Sequence, residues 1–180
     1  DVHSFVGREP SGVSFNAFTL NSEDKPHNAC INAGAIVVSA LYHPELMPAD
    51  RFNRFSDKLS ELTGDEKPGF GLPVFLSEKA TAHTNFALAH FIASKGRFPA
   101  DVSIESALDF YFQMCSTEIN CRQMATLAAT YANNGKNPIT RKTVFSTETV
   151  KSTVSMLFSC GMYNYSGEWA CTVGLPAKSG

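Results

Sequence analysis

Glu78 and Asn85 stand seven positions apart in this 180-residue chain. Two turns of a continuous helix bring positions i and i+7 to within about 20° of each other, so the two side chains share a face if the helix is unbroken. A carboxylate stacked with an amide can hold an ammonium group and a polar group beside it. The alternative is a capping pair, with Glu78 in a first turn and Asn85 restarting the helix. Asn32 is a lone amide inside the apolar run Ala29-Cys-Ile-Asn-Ala-Gly-Ala-Ile-Val-Val38. Burying it without partners costs about 1–3 kcal/mol, so it bonds either to a neighbouring backbone or to a ligand. Tyr111, in Leu108-Asp-Phe-Tyr-Phe-Gln113, has aromatic neighbours that predict burial on several sides, and its hydroxyl needs a partner.

Two further patterns fail on chemistry. Ser22-Glu-Asp-Lys25 has the spacing that lets a lysine one helical turn on take the proton of a nucleophilic serine. It lies in a polar loop with Pro26 directly behind it, where no helix can hold that geometry. His3, His27, His43, His83 and His90 show no metal-ligand spacing. His83 and His90 could share a helix face, but no third ligand accompanies them.

The elements that must position these residues read as mainly helical. Val6 to Gly12 is turn chemistry, Phe15 to Leu20 an apolar loop or short strand, and Asn21 to Asn28 polar. A small, apolar helix spans 29–41 and ends before Pro44. The clearest amphipathic helix is 48–62, with Phe52, Phe55, Leu59 and Leu62 on one face, Asp50 able to cap it and Gly64 as a stop. After a Gly/Pro loop over 64–73, helical patterns return at 77–95, 104–116, 122–133 and 148–158, with a turn at 134–140. Only 170–175 reads as a strand.

The bulk properties exclude some functions. A net charge of −2 and a pI near 6.2 give no basic field for nucleic acid or an acidic membrane. No apolar run approaches the roughly 20 residues that cross a bilayer. A hydrophobic fraction of 43% supports one sizeable core. Cys30, Cys115, Cys121, Cys160 and Cys171 are odd in number and lack CxxC spacing, which predicts reduced, mostly buried thiols in an intracellular protein.

The chain closes with a tyrosine-rich turn, Tyr163-Asn-Tyr165, an apolar run, and Lys178-Ser-Gly180. A Lys-Ser/Thr-Gly triplet of this kind resembles the strand wall of serine acyl-transfer enzymes of the β-lactamase and penicillin-binding superfamily. The Ala-rich segment 122–137 with its Asn-Gly end and Pro138 is similar to the segment preceding that strand. Taken with Glu9-Pro-Ser-Gly12, Lys25-Pro-His-Asn28, Ile31-Asn-Ala-Gly-Ala-Ile36, Ser77-Glu78, Asn85-Phe-Ala87, Asp109-Phe-Tyr-Phe-Gln113, Cys160-Gly-Met-Tyr163 and Val173-Gly-Leu-Pro-Ala-Lys-Ser-Gly180, the whole chain resembles the serine-dependent glutaminase family. The animal type is the nearer, judged by 110–116 and 159–163.

That resemblance implies an α/β fold of the β-lactamase type, of which 1–180 is a mostly α-helical part. It implies hydrolysis of L-glutamine to L-glutamate and ammonia through a serine acyl-enzyme, without metal or organic cofactor. Asn32, Glu78, Asn85, Tyr111 and Tyr163 match the family's substrate-contacting positions. Glu78 is expected to pair with the substrate ammonium, and Asn32, Asn85 and Tyr111 to offer neutral hydrogen bonds to the carboxylate and carboxamide ends. Tyr163 is expected to relay a proton from the nucleophile to the leaving ammonia, beside a wall of Lys178 and Ser179. The family's Ser-x-x-Lys nucleophile lies upstream of the Glu-Pro-Ser-Gly block, and an oxyanion-hole N–H comes from the residue after the Lys-Ser-Gly. The chain holds neither, so 1–180 alone is expected to be inactive. The animal type further implies a mitochondrial protein, with the cytoplasm as second choice, and a homo-oligomer, dimer or tetramer, for which Phe15 to Leu20 is a candidate surface. Two other readings remain: another serine acyltransferase of the superfamily, which would have no need of Glu78, and a non-catalytic assembly module.

Overall fold

The computed structural model describes residues 1–179. In chain order the elements are α1 (Asn32–Leu41), α2 (Pro48–Thr63), β1 (Gly69–Phe70), α3 (Leu72–Ala80), α4 (His83–Ser94), α5 (Ile104–Cys115), β2 (Thr117–Glu118), α6 (Cys121–Ala132), α7 (Thr147–Cys160) and α8 (Ser166–Val173). Two compact units divide the chain. One comprises 1–44, 82–111 and 155–180, and the other 45–81 and 112–154.

In the first unit, α1 packs on α4. The contact is built from small and branched apolar residues: Ala33, Ile36, Val37 and Ala40 on α1 and Leu88, Ala89 and Ile92 on α4 are all buried. Each fully buried Ile or Leu contributes about 1.5–3 kcal/mol. Gly34 lets the segment that leads into α1 lie close against the helix, because a Cβ there would sit 1.8 Å from the Asn28 carbonyl oxygen. Asn28 is wholly buried, and its side chain ties the entry to α1. Its Nδ2 donates to the Glu9 carbonyl, and its Oδ1 accepts from the N–H groups of Cys30 and Ile31. The polar loop before it is a tight turn, with Asp24 left-handed at φ 59°, so Ser22 and Lys25 share no helix.

In the second unit, α2 packs on α6. Pro48 occupies the first turn of α2, where its missing N–H costs nothing, and Met47 is the cap residue, so Asp50 lies inside the first turn instead of capping. Left-handed Gly64 ends the helix as expected. The last carbonyls of α2 are satisfied from outside it. Buried Asn137 donates to the Glu61 and Leu62 carbonyls, and buried Thr130 also donates to Leu62. A capping box between Asn120 and Gln123 starts α6, and left-handed Asn134 and Gly135 follow its end. The antiparallel pair Gly69↔Glu118 and Phe70↔Thr117, absent from the sequence reading, is the sheet found among the described residues.

Three expectations are corrected. The helix over 77–95 is two helices, broken at Thr81 and Ala82. There the Thr81 hydroxyl and N–H both take the Ser77 carbonyl. Glu78 therefore closes α3 instead of opening a helix, Asn85 lies in the first turn of α4, and the shared face is lost. The strand over 170–175 is largely α8, with Glu168 in its first turn and left-handed Gly174 behind it. A short apolar run is ambiguous by periodicity, and the helix signals lay at its flanks. Of the five cysteines, only Cys160 is fully buried, while Cys115, Cys121 and Cys171 are exposed; no disulfide joins them. Cys115 and Cys121 stand at helix ends, where residue type does not decide burial.

Candidate functional site

The first unit holds five of the six residues singled out above, all but Glu78, and hydrogen bonds join four of them in two pairs, Asn32 with Tyr111 and Tyr163 with Lys178. Asn32 is the first residue of α1, whose start lacks a side-chain cap. Its N–H donates to the Phe15 carbonyl at 3.0 Å. Its Nδ2 donates to Asn16 Oδ1 at 2.6 Å, and its Oδ1 accepts from the Tyr111 hydroxyl at 3.2 Å. Asn32 is thus a helix-end amide, half-buried and tied to a loop on one side and to α5 on the other. Tyr111 is half-buried between fully buried Phe110 and Phe112.

Two residues before Asn32, the Cys30 carbonyl accepts from the Tyr163 hydroxyl at 2.6 Å. The same hydroxyl oxygen accepts from Lys178 Nζ at 3.1 Å, and that amine lies 4.4 Å from the Tyr163 ring centre. Lys178 Nζ also donates to the Ser179 carbonyl. The phenol therefore stands between an amine and a carbonyl, in a chain of donors running one way.

Local backbone chemistry holds Tyr163 in this position. Its φ is 55°, the left-handed region that a bulky residue rarely occupies. Gly161 precedes it at φ 49°, and a Cβ there would meet Ser166 Oγ at 2.9 Å. Ser166 clasps the turn, accepting from the Met162 N–H at 2.9 Å and donating to the Tyr163 carbonyl at 2.8 Å. The Ser179 N–H donates to the Gly161 carbonyl at 3.1 Å, which docks the 175–179 segment on the same turn. That segment is not a strand, and Gly180 of the triplet lies outside the described residues.

Burial pushes the Cys160 thiol up to about 12, with the neighbouring Cys30 thiol adding to the shift. Cys160 accordingly stays neutral beneath the turn. The Phe15 ring lies 5.9 Å from the Tyr163 ring, bringing the loop that touches Asn32 to the tyrosine as well.

Glu78 and Asn85 are placed differently. Glu78, half-exposed in the last turn of α3, belongs to the second unit. Asn85 is half-buried in the first unit, and no hydrogen bond joins its side chain to the described residues. No group of three metal-ligating side chains occurs among the described residues. No helix among them is long and apolar enough to cross a membrane.

Sequence reading missed Asn16, the Cys30 carbonyl and Ser166. Asn16 had a signal, as an amide set among Phe15, Ala17 and Phe18 in an otherwise apolar loop. The Cys30 carbonyl had none, because backbone acceptors are invisible to residue type.

The chemical capacity of the first unit's cluster is proton transfer at a phenol flanked by an amine, next to an amide–phenol pair able to bind a polar ligand. The family model described as glutaminase matches residues 1–180. The mitochondrial liver isoform of glutaminase from Rattus norvegicus is 47% identical over 178 residues, which are 99% of this chain and 30% of the relative. A glutaminase from a Nostoc species is 42% identical over 176 residues, 97% of this chain and 52% of the relative. The crystal structure of a probable glutaminase from Bacillus subtilis superposes with a TM-score of 0.89 at 32% identity, over 99% of this chain and 57% of that one. The chain thus spans between about a third and about half of the length of these curated relatives.

Proposed function

The chain belongs to the glutaminase family, with its β-lactamase-like fold, and from that premise we propose that the protein hydrolyses L-glutamine to L-glutamate and ammonia through a serine acyl-enzyme. Residues 1–180 supply the substrate-binding and proton-relay side of the site, and the nucleophilic serine and the oxyanion-hole donor come from residues beyond this stretch. The observation that carries the reading is the Lys178–Tyr163–Cys30 chain of hydrogen bonds beside the Asn32–Tyr111 pair.

In this reading, as the serine oxygen attacks the carboxamide carbon, the Tyr163 phenol turns its own proton from the Cys30 carbonyl to the carboxamide nitrogen and takes the serine hydroxyl proton in exchange, and ammonia leaves as the C–N bond breaks. Water then adds to the ester carbon by the reverse of these transfers, which releases glutamate and restores the serine. The Lys178 ammonium stabilises negative charge on the Tyr163 oxygen while that oxygen is between protons. Glu78 pairs with the substrate ammonium, and Asn32, Asn85 and Tyr111 hold its polar ends. Of the three readings open at the outset, the other serine acyltransferases lose support, because the matching family model, the Rattus norvegicus and Nostoc relatives and the Bacillus subtilis structure carry the glutaminase name.

The direct test is the full-length protein with glutamine as substrate. Glutamate and ammonia are expected in equal amounts, with a γ-glutamyl ester on a serine in acid-quenched samples. Absence of turnover, or turnover without an ester, counts against the reading.

Location and assembly follow the relatives more loosely, since those compared come from both animals and bacteria. The mitochondrion suits the similarity to a mitochondrial liver isoform, and cell fractionation that finds the protein only in the cytosol refutes it. Half-exposed Phe15 and Phe18 support self-association through their loop into a dimer or tetramer. Light scattering of a Phe18→Ala variant decides, an unchanged mass counting against that surface.

A further inference from the structure

Asn16 sits in a turn closed by the Ala17 N–H to the Ser14 carbonyl at 3.1 Å. Two bonds from the first residue of α1 land on that turn: the Asn32 N–H on the Phe15 carbonyl, and Asn32 Nδ2 on Asn16 Oδ1. The second bond has a consequence for direction. A primary amide carries its donors on one atom and its acceptor pairs on the other, so turning it over exchanges them. With Asn16 Oδ1 as the acceptor, Asn32 must present Nδ2 to the loop and Oδ1 to Tyr111. Tyr111 must then donate its one proton to Asn32.

We propose that Asn16 is a positioning residue for substrate binding: it fixes the orientation of the Asn32 amide and, through it, the direction of the Tyr111 proton. Toward a ligand Tyr111 acts through its oxygen as an acceptor of N–H, and Asn32 keeps one N–H to donate. An acceptor and a donor on adjacent side chains match a ligand end that carries both N–H and oxygen, such as an α-amino acid group or a carboxamide. If the Asn32 amide turned over, Tyr111 would face a donor and would have to present its proton differently. Asn16 touches no reacting atom in this account; it acts through Asn32. The ligand's identity rests on the glutaminase reading above, whereas the hydrogen-bond order does not.

The test uses two substitutions in the full-length protein. Asn16→Leu removes the acceptor, and Asn16→Asp keeps one. Loss of one neutral hydrogen bond corresponds to roughly a 2–13-fold change, so N16L is expected to raise KM for glutamine by about fivefold with kcat nearly unchanged. N16D recovers most of that loss, because its carboxylate still accepts from Asn32. Independently of turnover, spectra of protein labelled with 15N-asparagine report the Asn32 side-chain NH2 group. Two inequivalent protons, one slow to exchange, are expected in the wild type and in N16D, and fast exchange of both in N16L. Wild-type KM and an unchanged Asn32 amide in N16L overturn the proposal, as does N16D behaving like N16L. If the wild type fails to process glutamine, the glutaminase reading falls, and the spectra alone decide the role of Asn16.

Discussion

Lys178 Nζ donates to the Tyr163 hydroxyl oxygen at 3.1 Å, and that hydroxyl in turn donates to the Cys30 carbonyl at 2.6 Å. The two residues lie on opposite ends of a chain segment folded back through α8. The pairing therefore depends on left-handed Tyr163, on the Ser166 clasp and on the Ser179–Gly161 bond acting together. The candidate site is made by a strained turn and its docking partner, with the N-terminus of α1 beside them.

Glu78→Gln in the full-length protein tests the partner of the substrate ammonium. A hydrogen bond to a charged group contributes about 1.5–3 kcal/mol, so kcat/KM for glutamine is expected to fall roughly 10–150-fold, mostly through KM. A steady-state comparison with wild type measures it. Little change in either parameter removes Glu78 from ammonium binding and reopens the other serine acyltransferases.

Gly34→Ala tests the wall on which Asn32 stands. The new Cβ would lie 1.8 Å from the Asn28 carbonyl oxygen, a backbone atom held by three side-chain bonds of Asn28. Overpacking against such a rigid neighbour costs about 1–3 kcal/mol or more. A lower Tm and a raised KM are expected together, because α1 moves with Asn32. Unchanged melting contradicts the close approach.

Cys160 makes a pH prediction. Its thiol is raised from 9.0 to about 12, first by burial and then by Cys30. The folded state keeps the proton that the unfolded chain releases, so this contribution to stability is fully present below pH 9 and is lost as pH climbs toward 12. Denaturant titrations should show an alkaline loss that Cys160→Ala reduces. At pH 8 the thiolate fraction is on the order of 10⁻⁴, so iodoacetamide should spare Cys160 while labelling exposed Cys121 and Cys171. Labelling of Cys160 at the rate of Cys171 would contradict its burial.

Much of this was legible in the residues. The amphipathic stripe of α2, its Gly64 stop and the Asn-Gly end of α6 follow from side-chain type and backbone freedom, which are local properties. The burial of Phe110 and Phe112 around Tyr111 was legible for the same reason. The break at Thr81 was not, because it shows only in the backbone, with ψ 15° at Thr81 and 12° at Ala82, and no glycine or proline between 77 and 95 marks it. Nor was α8, whose short apolar run fits either period. The Asn32–Tyr111 and Lys178–Tyr163 pairs join residues 79 and 15 positions apart. Spacing alone carries no information on such closures, and only the resemblance brought Tyr163 and Lys178 forward.

In the proposed mechanism Tyr163 relays the proton in glutamine hydrolysis. Tyr163→Phe removes one oxygen and leaves the ring against Phe15 and Lys178, so the fold of the turn is kept. In the full-length protein with saturating glutamine, kcat is expected to fall by about 10²–10⁴-fold while KM stays within about threefold. A kcat within about threefold of wild type would contradict the account and leave Tyr163 as a structural clasp.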